Sequence, residues 1–303
     1  MAWTVLQRRD LLLMRRHVLV LAEWSDLFSI SFRHLKMFEF VVFAFDKRQR
    51  IDQHEYNVQI VKCRDDMTDV RRNLKLAYKT SALGHVYVIN EKIPMYGFLK
   101  EWYVQNYLEV YQMGYDRFLW EIPHVVVFDL DNTLISDEEP VRIRSQSVYD
   151  SLHDLKSKGC VLMLWSYGNR EHVTHSMNEA DLNGIFDITI CGGQRVSGGS
   201  DRVIIDNRER MAFVEKPFYL DIDVKTDRLP KSPRVVLWYL RKIGVNYIKS
   251  ITLVDDLKDN DYSYDFFVNV SRCFEPANDW DKYHRAIVDN ILGHEHEFDV
   301  QFY

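Results

Sequence analysis

Cysteine is scarce and scattered in this 303-residue chain. The four cysteines, Cys63, Cys160, Cys191 and Cys273, form no CxxC pair, which argues against a zinc site or a disulfide framework and for a reducing compartment. None is followed by the five residues and arginine of a cysteine-phosphatase loop. Cys160 and Cys191 lie in or beside apolar runs and read as core residues. A long unbroken apolar run is also missing. The stretch LLLMRRHVLVLAEW from Leu11 is interrupted by Arg15, Arg16 and Glu23, so it cannot span a bilayer as it stands, and it lacks a small-residue cleavage signature. No membrane association is expected. Internal repeats and low-complexity tracts are absent.

What is present is an ordinary globular composition, 47% hydrophobic and 28% charged, on a length that suggests about two domains. The net charge of -6 conceals an asymmetry. Residues 1–120 carry 18 Lys and Arg against 14 Asp and Glu, whereas residues 121–303 carry 21 against 31. So small a basic excess in the first part could meet an anionic partner but is more often a solvated surface. Trp3, Trp24, Trp102 and Trp120 all fall in that part and suit either an interface or a core.

From Phe128 onward, apolar runs alternate with helical spacing, the pattern of a parallel sheet with helices on both faces. Strands are expected at VVVF, CVLMLW, FDITI, ITLV and FFVNV. Helices are expected over about 147–158, closed by Gly159, and from about Arg170. A segment at about 192–230 with two Gly-Gly pairs interrupts the alternation and reads as a short β-rich insert or flap. The division is therefore an N-terminal α+β accessory region at 1–120 and an α/β domain at 121–303. In the former the sequence suggests an early helix, hairpin-like strands around Phe38–Phe45 and Tyr56–Val61, a helix over about Thr68–Tyr78 and an aromatic-rich helix around Phe98–Tyr111.

Four segments carry chemistry. HVVVFDLDNTL places Asp129 and Asp131 directly after a buried strand, where two nearby carboxylates face the crevice of an open α/β sheet. Such a pair needs a cation or a proton to coexist. An Asp-Asn turn would explain the same residues more simply. Ser166 follows the second strand and could offer its hydroxyl to a phosphate. Lys231 precedes Ser232-Pro233 at the start of a helix reaching Ile243 and closed by Gly244, with Lys216 in VEKPF as a rival. ITLVDDLKDN ends a strand with Asp255 and Asp256, followed by Asp259 and Asn260. An all-oxygen donor set of this kind suits Mg2+.

The order DxDxT, Ser, Lys, DD over about Pro123 to Cys273 resembles the haloacid dehalogenase superfamily of phosphatases and phosphotransferases. The resemblance implies a Rossmannoid fold in which Asp129 is nucleophile and metal ligand, and Asp131 is general acid and base and gives its carbonyl to the metal. It further implies that Thr133 completes the first motif, that Ser166 and Lys231 hold phosphoryl oxygens, and that Asp256 binds Mg2+ with Asp255 or Asn260 in support. An acid at position 131 implies phosphoester hydrolysis. The short interval from Asp131 to Ser166 implies an open site without a large cap, as in phosphatases that reach macromolecular esters. More narrowly, HVVVFDLDNTLI, CVLMLWSYGNREHV, FDITICGGQ and PKSPRVVLWYLRK resemble the baculovirus 38K nucleocapsid protein family. That kinship implies a role in nucleocapsid assembly in the host nucleus and the virion, capsid proteins as partners, and dephosphorylation of a basic DNA-packaging protein; self-association is a further expectation. A small-molecule or polynucleotide phosphatase, and an assembly scaffold with an inherited phosphatase fold, are the alternatives.

Overall fold

A computed structural model of the chain describes residues 2–10, 16–63, 67–88, 104–106, 122–137, 139–192, 203–206, 211–214 and 231–299. The chain forms two compact units. One comprises Met1–Ile122, Val236–Lys249 and Glu297–Tyr303, the other Pro123–Val235 and Ser250–His296. Two later segments thus group with the N-terminal region, which a single cut at 120 does not anticipate.

The first unit holds strands β1 (Ala2–Arg8), β2 (Val18–Val20), β3 (Phe40–Ala44), β4 (Tyr56–Lys62), β5 (Val86–Val88) and β6 (Val104–Asn106), with helices α1 (Phe32–Leu35) and α2 (Met67–Tyr78). The sheet order is β4-β1-β3-β2-β5-β6. The α2 expectation holds. The early helix is limited to the short α1, and the chain opens instead with β1, whose Trp3, Val5 and Leu6 are all fully buried. Burial on consecutive residues is what a central strand covered on both faces requires. β3 and β4 are strands but not a hairpin, because β1 lies between them and pairs antiparallel with each. The described part of the stretch expected as an aromatic helix, Val104–Asn106, is a strand parallel to β5. The rest of that stretch, with Trp102 and Trp120, lies outside the described residues. Trp3 is core, and Trp24 packs its ring on Phe43 and Tyr56.

The second unit is built on β7 (Val125–Phe128), β8 (Val161–Ser166), β9 (Ile188–Gly192), β10 (Val203–Asp206), β11 (Met211–Val214), β12 (Ile251–Asp255) and β13 (Phe266–Asn269). Helices α3 (Ser147–Ser157), α4 (Arg170–Glu179), α5 (Pro233–Lys242) and α6 (Trp280–Asp299) intervene or follow, α5 and α6 each continuing into the first unit. The strand order is β10-β11-β9-β8-β7-β12-β13, parallel throughout except for the β10–β11 pair. The protein is therefore α/β with a mainly parallel sheet. The stretch expected as an insert contributes β10 and β11, an antiparallel pair that widens the sheet at the β9 edge.

One sheet face presents Val126, Phe128, Leu162 and Leu164 to Val148, Leu152 and Leu155 of α3, Val173 and Met177 of α4, and Trp280 and Ile287 of α6. Residues of opposite parity, Val125, Val127, Met163 and Trp165, are equally buried. This double burial explains why the strands read as continuous apolar runs rather than alternating ones. α3 stops where Gly159 takes φ 76°, and α5 where Gly244 takes φ 88°, conformations that glycine adopts at no steric cost.

The chain leaves β7 toward β8 and β9 on one side and later returns to β12 and β13 on the other. The carboxyl ends of β7 and β12 therefore flank a topological switch point, the place where open α/β sheets bind ligands.

In the first unit, His85 is buried against His17, whose Nδ1 accepts the His85 backbone N–H at 3.2 Å. Burial, helped by the nearby Arg241 charge, lowers the imidazole pKa to about 3 from 6.5. The unfolded chain then binds more protons than the folded one between those values, so stability is lost as the pH falls below the unfolded pKa. Urea unfolding at pH 7, 6 and 5 should show a loss attributable to this group of about 1.4 kcal/mol per pH unit below about 6.5. His85→Asn should flatten that slope.

Candidate active site

Each expected site residue lies at the carboxyl end of a strand or the start of a helix in the second unit. β7 delivers Asp129, whose N–H donates to the Val254 carbonyl at 2.9 Å and so locks the strand end to β12. The chain then turns sharply: Thr133, Leu134 and Ile135 N–H all reach back to the Leu130 carbonyl, and Asn132 takes φ 61°. DLDNT is thus both a strand end and an Asn turn, and the turn holds the two carboxylates near the crevice.

Lys231 organises the centre. It is fully buried, and its Nζ donates to Asp129 Oδ1 and, at 2.8 Å, to Asp255 Oδ2. A buried ammonium must be paired, and here it has two carboxylates. Both hold its pKa above the ordinary lysine range against the opposing effect of burial. Asp255 is fully buried, with Oδ2 also accepting from Asn260 Nδ2 at 2.9 Å and Oδ1 from Leu257 N–H at 2.8 Å. Asn260 in turn accepts from the Tyr167 hydroxyl at 2.5 Å, and the Tyr167 ring lies 5.1 Å from Lys231 Nζ.

Negative charge exceeds positive here. Asp256 Oδ2 is 3.2 Å from Arg272 Nε, and burial with the Asp255 charge raises the Asp256 pKa. Burial is also the largest influence on Asp129. Lys231 pulls its pKa down, but burial and Asp255 prevail and lift it to about 7 from 3.8.

One carboxylate oxygen from each of Asp129, Asp255 and Asp256 lies within 4.8 Å of the others. Oxygens in one Mg2+ shell sit at most roughly 4.2 Å apart, given bonds of about 2.1 Å. A small inward adjustment would fit them to one ion. The donors are all hard oxygens and the local charge is in deficit of a cation, so the residues fit Mg2+.

Asp131 is held apart from that cluster. Ser166 Oγ donates to its Oδ2 at 2.7 Å, and His172 Nε2 stands 2.6 Å from its Oδ1. Thr133 is closed to solvent. Its carbonyl accepts from Arg144 Nη1 at 3.3 Å, and among the described residues no group pairs with its hydroxyl. Arg144 also grips Ser271 and, through two nitrogens, Asp279, bracing the turn against the end of β13. Lys216 lies outside the described residues.

Sequence reasoning missed His172, Tyr167, Arg144 and Arg272. A signal for His172 existed: Asn169 accepts its N–H at 2.9 Å as the cap of α4, and Asn three residues before a histidine marks a first-turn position near the strand end.

Residues 1–299 match the family described as "Protein of unknown function (DUF705)". The chain belongs to this family. It is 45% identical to the "Uncharacterized 38.0 kDa protein in P143-LEF5 intergenic region" of Autographa californica nuclear polyhedrosis virus, over 98% of this chain and 97% of that protein. A 41.0 kDa protein of the same intergenic designation from Cryptophlebia leucotreta granulosis virus is 44% identical over 98% and 86% of the two chains. An "Uncharacterized 36.0 kDa protein" of Orgyia pseudotsugata multicapsid polyhedrosis virus is 40% identical over 97% and 96%. The expected baculoviral kinship is thus shown. Among the described residues, no helix is long and apolar enough to cross a membrane.

The raised Asp129 pKa has a stability consequence. The folded state holds this proton more tightly than the unfolded chain, so stability falls as the pH rises from about 4 to about 7 and is flat beyond. Without divalent cation at pH 8, Asp129→Asn should therefore resist urea better than wild type, by on the order of 1–3 kcal/mol. The advantage should vanish toward pH 4. Lys231→Met, which leaves two buried carboxylates facing each other, should cost about 3–5 kcal/mol in the same assay at pH 8.

Proposed function

We propose that the protein is a Mg2+-dependent phosphomonoester hydrolase of the haloacid dehalogenase type, using Asp129 as nucleophile. The observation that carries this reading is the convergence of Asp129, Asp255, Asp256 and Lys231 at the switch point between β7 and β12. β7, which carries the first motif, lies between β8 and β12 and pairs parallel with both.

Asp129, Asp255 and Asp256 would hold Mg2+, with the Asp131 carbonyl as a further donor. When bound, the ion neutralises charge and so lets an anionic nucleophile meet an anionic ester. Asp129 attacks phosphorus in line, forming its O–P bond as the ester O–P bond breaks, while Asp131 gives a proton to the departing oxygen. Asp131 then takes a proton from the water that cleaves the aspartyl-phosphate, and Asp129 is regenerated. Lys231 supplies fixed positive charge at the nucleophile, and Ser166 a hydroxyl beside the acid-base group. Losing one such preorganised contact typically costs on the order of 10²–10³ in rate. Lys231 is given this role because its Nζ donates to Asp129.

The resemblance to the 38K family extends the reading to a phosphorylated basic DNA-packaging protein as substrate. Capsid proteins would be partners, and the sites of action the host nucleus and the nucleocapsid of the virion. Baculoviral kinship supports this extension.

Phosphate release from such a phosphoprotein with Mg2+ should be robust for wild type and fall by at least about 10³ for Asp129→Asn, with folding retained by circular dichroism. Comparable turnover by the variant would remove Asp129 from the role. Rescue of nucleocapsid assembly by the inactive variant would favour a scaffold instead.

A further inference from the structure

Both oxygens of Asp131 are held, and the device that holds them is built from one loop. Ser166 takes one of its oxygens and His172 the other. The Gly168 N–H donates to Ser166 Oγ at 2.9 Å, which aims the hydroxyl proton at Asp131. Asn169 fixes the His172 backbone in the first turn of α4. Gly168 also supplies room: a Cβ there would lie 2.4 Å from His172 Cδ2 and 3.1 Å from Ser166 Oγ. Glycine at this position is thus matched to the ring beside it. With 45% of the His172 side chain and 37% of that of Asp131 exposed, the contact itself contributes little to stability; what the loop fixes is geometry.

We propose that His172 is a positioning residue for Asp131, acting with Ser166 to fix the rotation of the acid-base carboxylate; this rests on the phosphatase reading above. A carboxylate turns about its last torsion in a broad well. Proton transfer to a leaving oxygen requires an oxygen within hydrogen-bond reach along one direction. One tie leaves the plane free to swing; ties at both oxygens set it. The 2.6 Å contact reaches the oxygen that Ser166 does not hold, so His172 decides where that oxygen points.

The effect must depend on the leaving group. A departing serine alkoxide is strongly basic and needs the proton from Asp131 as its bond to phosphorus breaks. A nitrophenolate leaves without much help. The quantity to measure is the ratio of kcat/KM for a phosphoserine peptide to kcat/KM for p-nitrophenyl phosphate, in wild type, His172→Ala, His172→Gln and Gly168→Ala with Mg2+. This ratio is independent of the fraction of enzyme correctly folded. It should fall about tenfold or more in His172→Ala and in Gly168→Ala, which displaces the ring, because misplacing a reacting group by about 1 Å costs up to 10²-fold. Gln carries a side-chain N–H donor and should restore most of it. Equal losses on both substrates, or an unchanged ratio in either disruptive variant, would overturn the proposal while leaving the phosphatase reading intact. Failure of wild type to hydrolyse either ester would overturn both.

Discussion

A lysine ammonium without water, held between two carboxylates from different strands, is the interaction on which the second unit's chemistry depends. Lys231 can be buried only because Asp129 and Asp255 meet it, and those carboxylates can approach each other only because the ammonium lies between them. Their strand ends must then stay in fixed register. The bond from Asp129 N–H to the Val254 carbonyl and the parallel pairing of β7 with β12 supply that register. Asn260 and Tyr167 extend the network across the crevice to the loop after β8.

The arrangement is not optimised for stability. One ammonium opposes Asp129 and Asp255 together, Asp256 adds a third carboxylate, and burial, helped by the Asp255 charge, holds the Asp129 proton to about 7. Proteins accept such local costs where an unpaired charge has work to do. A divalent cation would relieve the cost, which links the electrostatics of the resting site to the chemistry proposed for it. The Arg144 clamp on Thr133, Ser271 and Asp279 has the complementary task of keeping the turn after β7 in place.

Much of this was legible in the sequence because the second unit obeys local rules. Its central strands are short apolar runs buried on both faces, its helices have a 3.6-residue period with glycine stops, and its polar residues follow strand ends. Asp129, Lys231 and Asp255 could therefore be named one by one and do come together in space, while Ser166 meets Asp131. The first unit resisted the same treatment. β1 separates β3 from β4, and which strand lies between two others is decided by contacts tens of residues apart rather than by local pattern. The opening AWTVLQR buries consecutive residues, a pattern that periodicity cannot assign to strand or helix. His172 was missed for a related reason: its significance lies in a 2.6 Å approach to a residue 41 positions earlier, and an isolated histidine on a helix signals nothing of that. Asn169 marks it as a first-turn residue but does not say which carboxylate it meets.

The most direct test of the central claim is chemical trapping of the nucleophile. The protein is mixed with Mg2+ and a phosphorylated substrate, quenched in acid within the first turnovers, and digested for mass spectrometry. The account predicts one phosphoryl group on the peptide containing Asp129, removed by hydroxylamine as an acyl phosphate should be. Phosphate release with no trapped adduct, or an adduct on another residue, would contradict it.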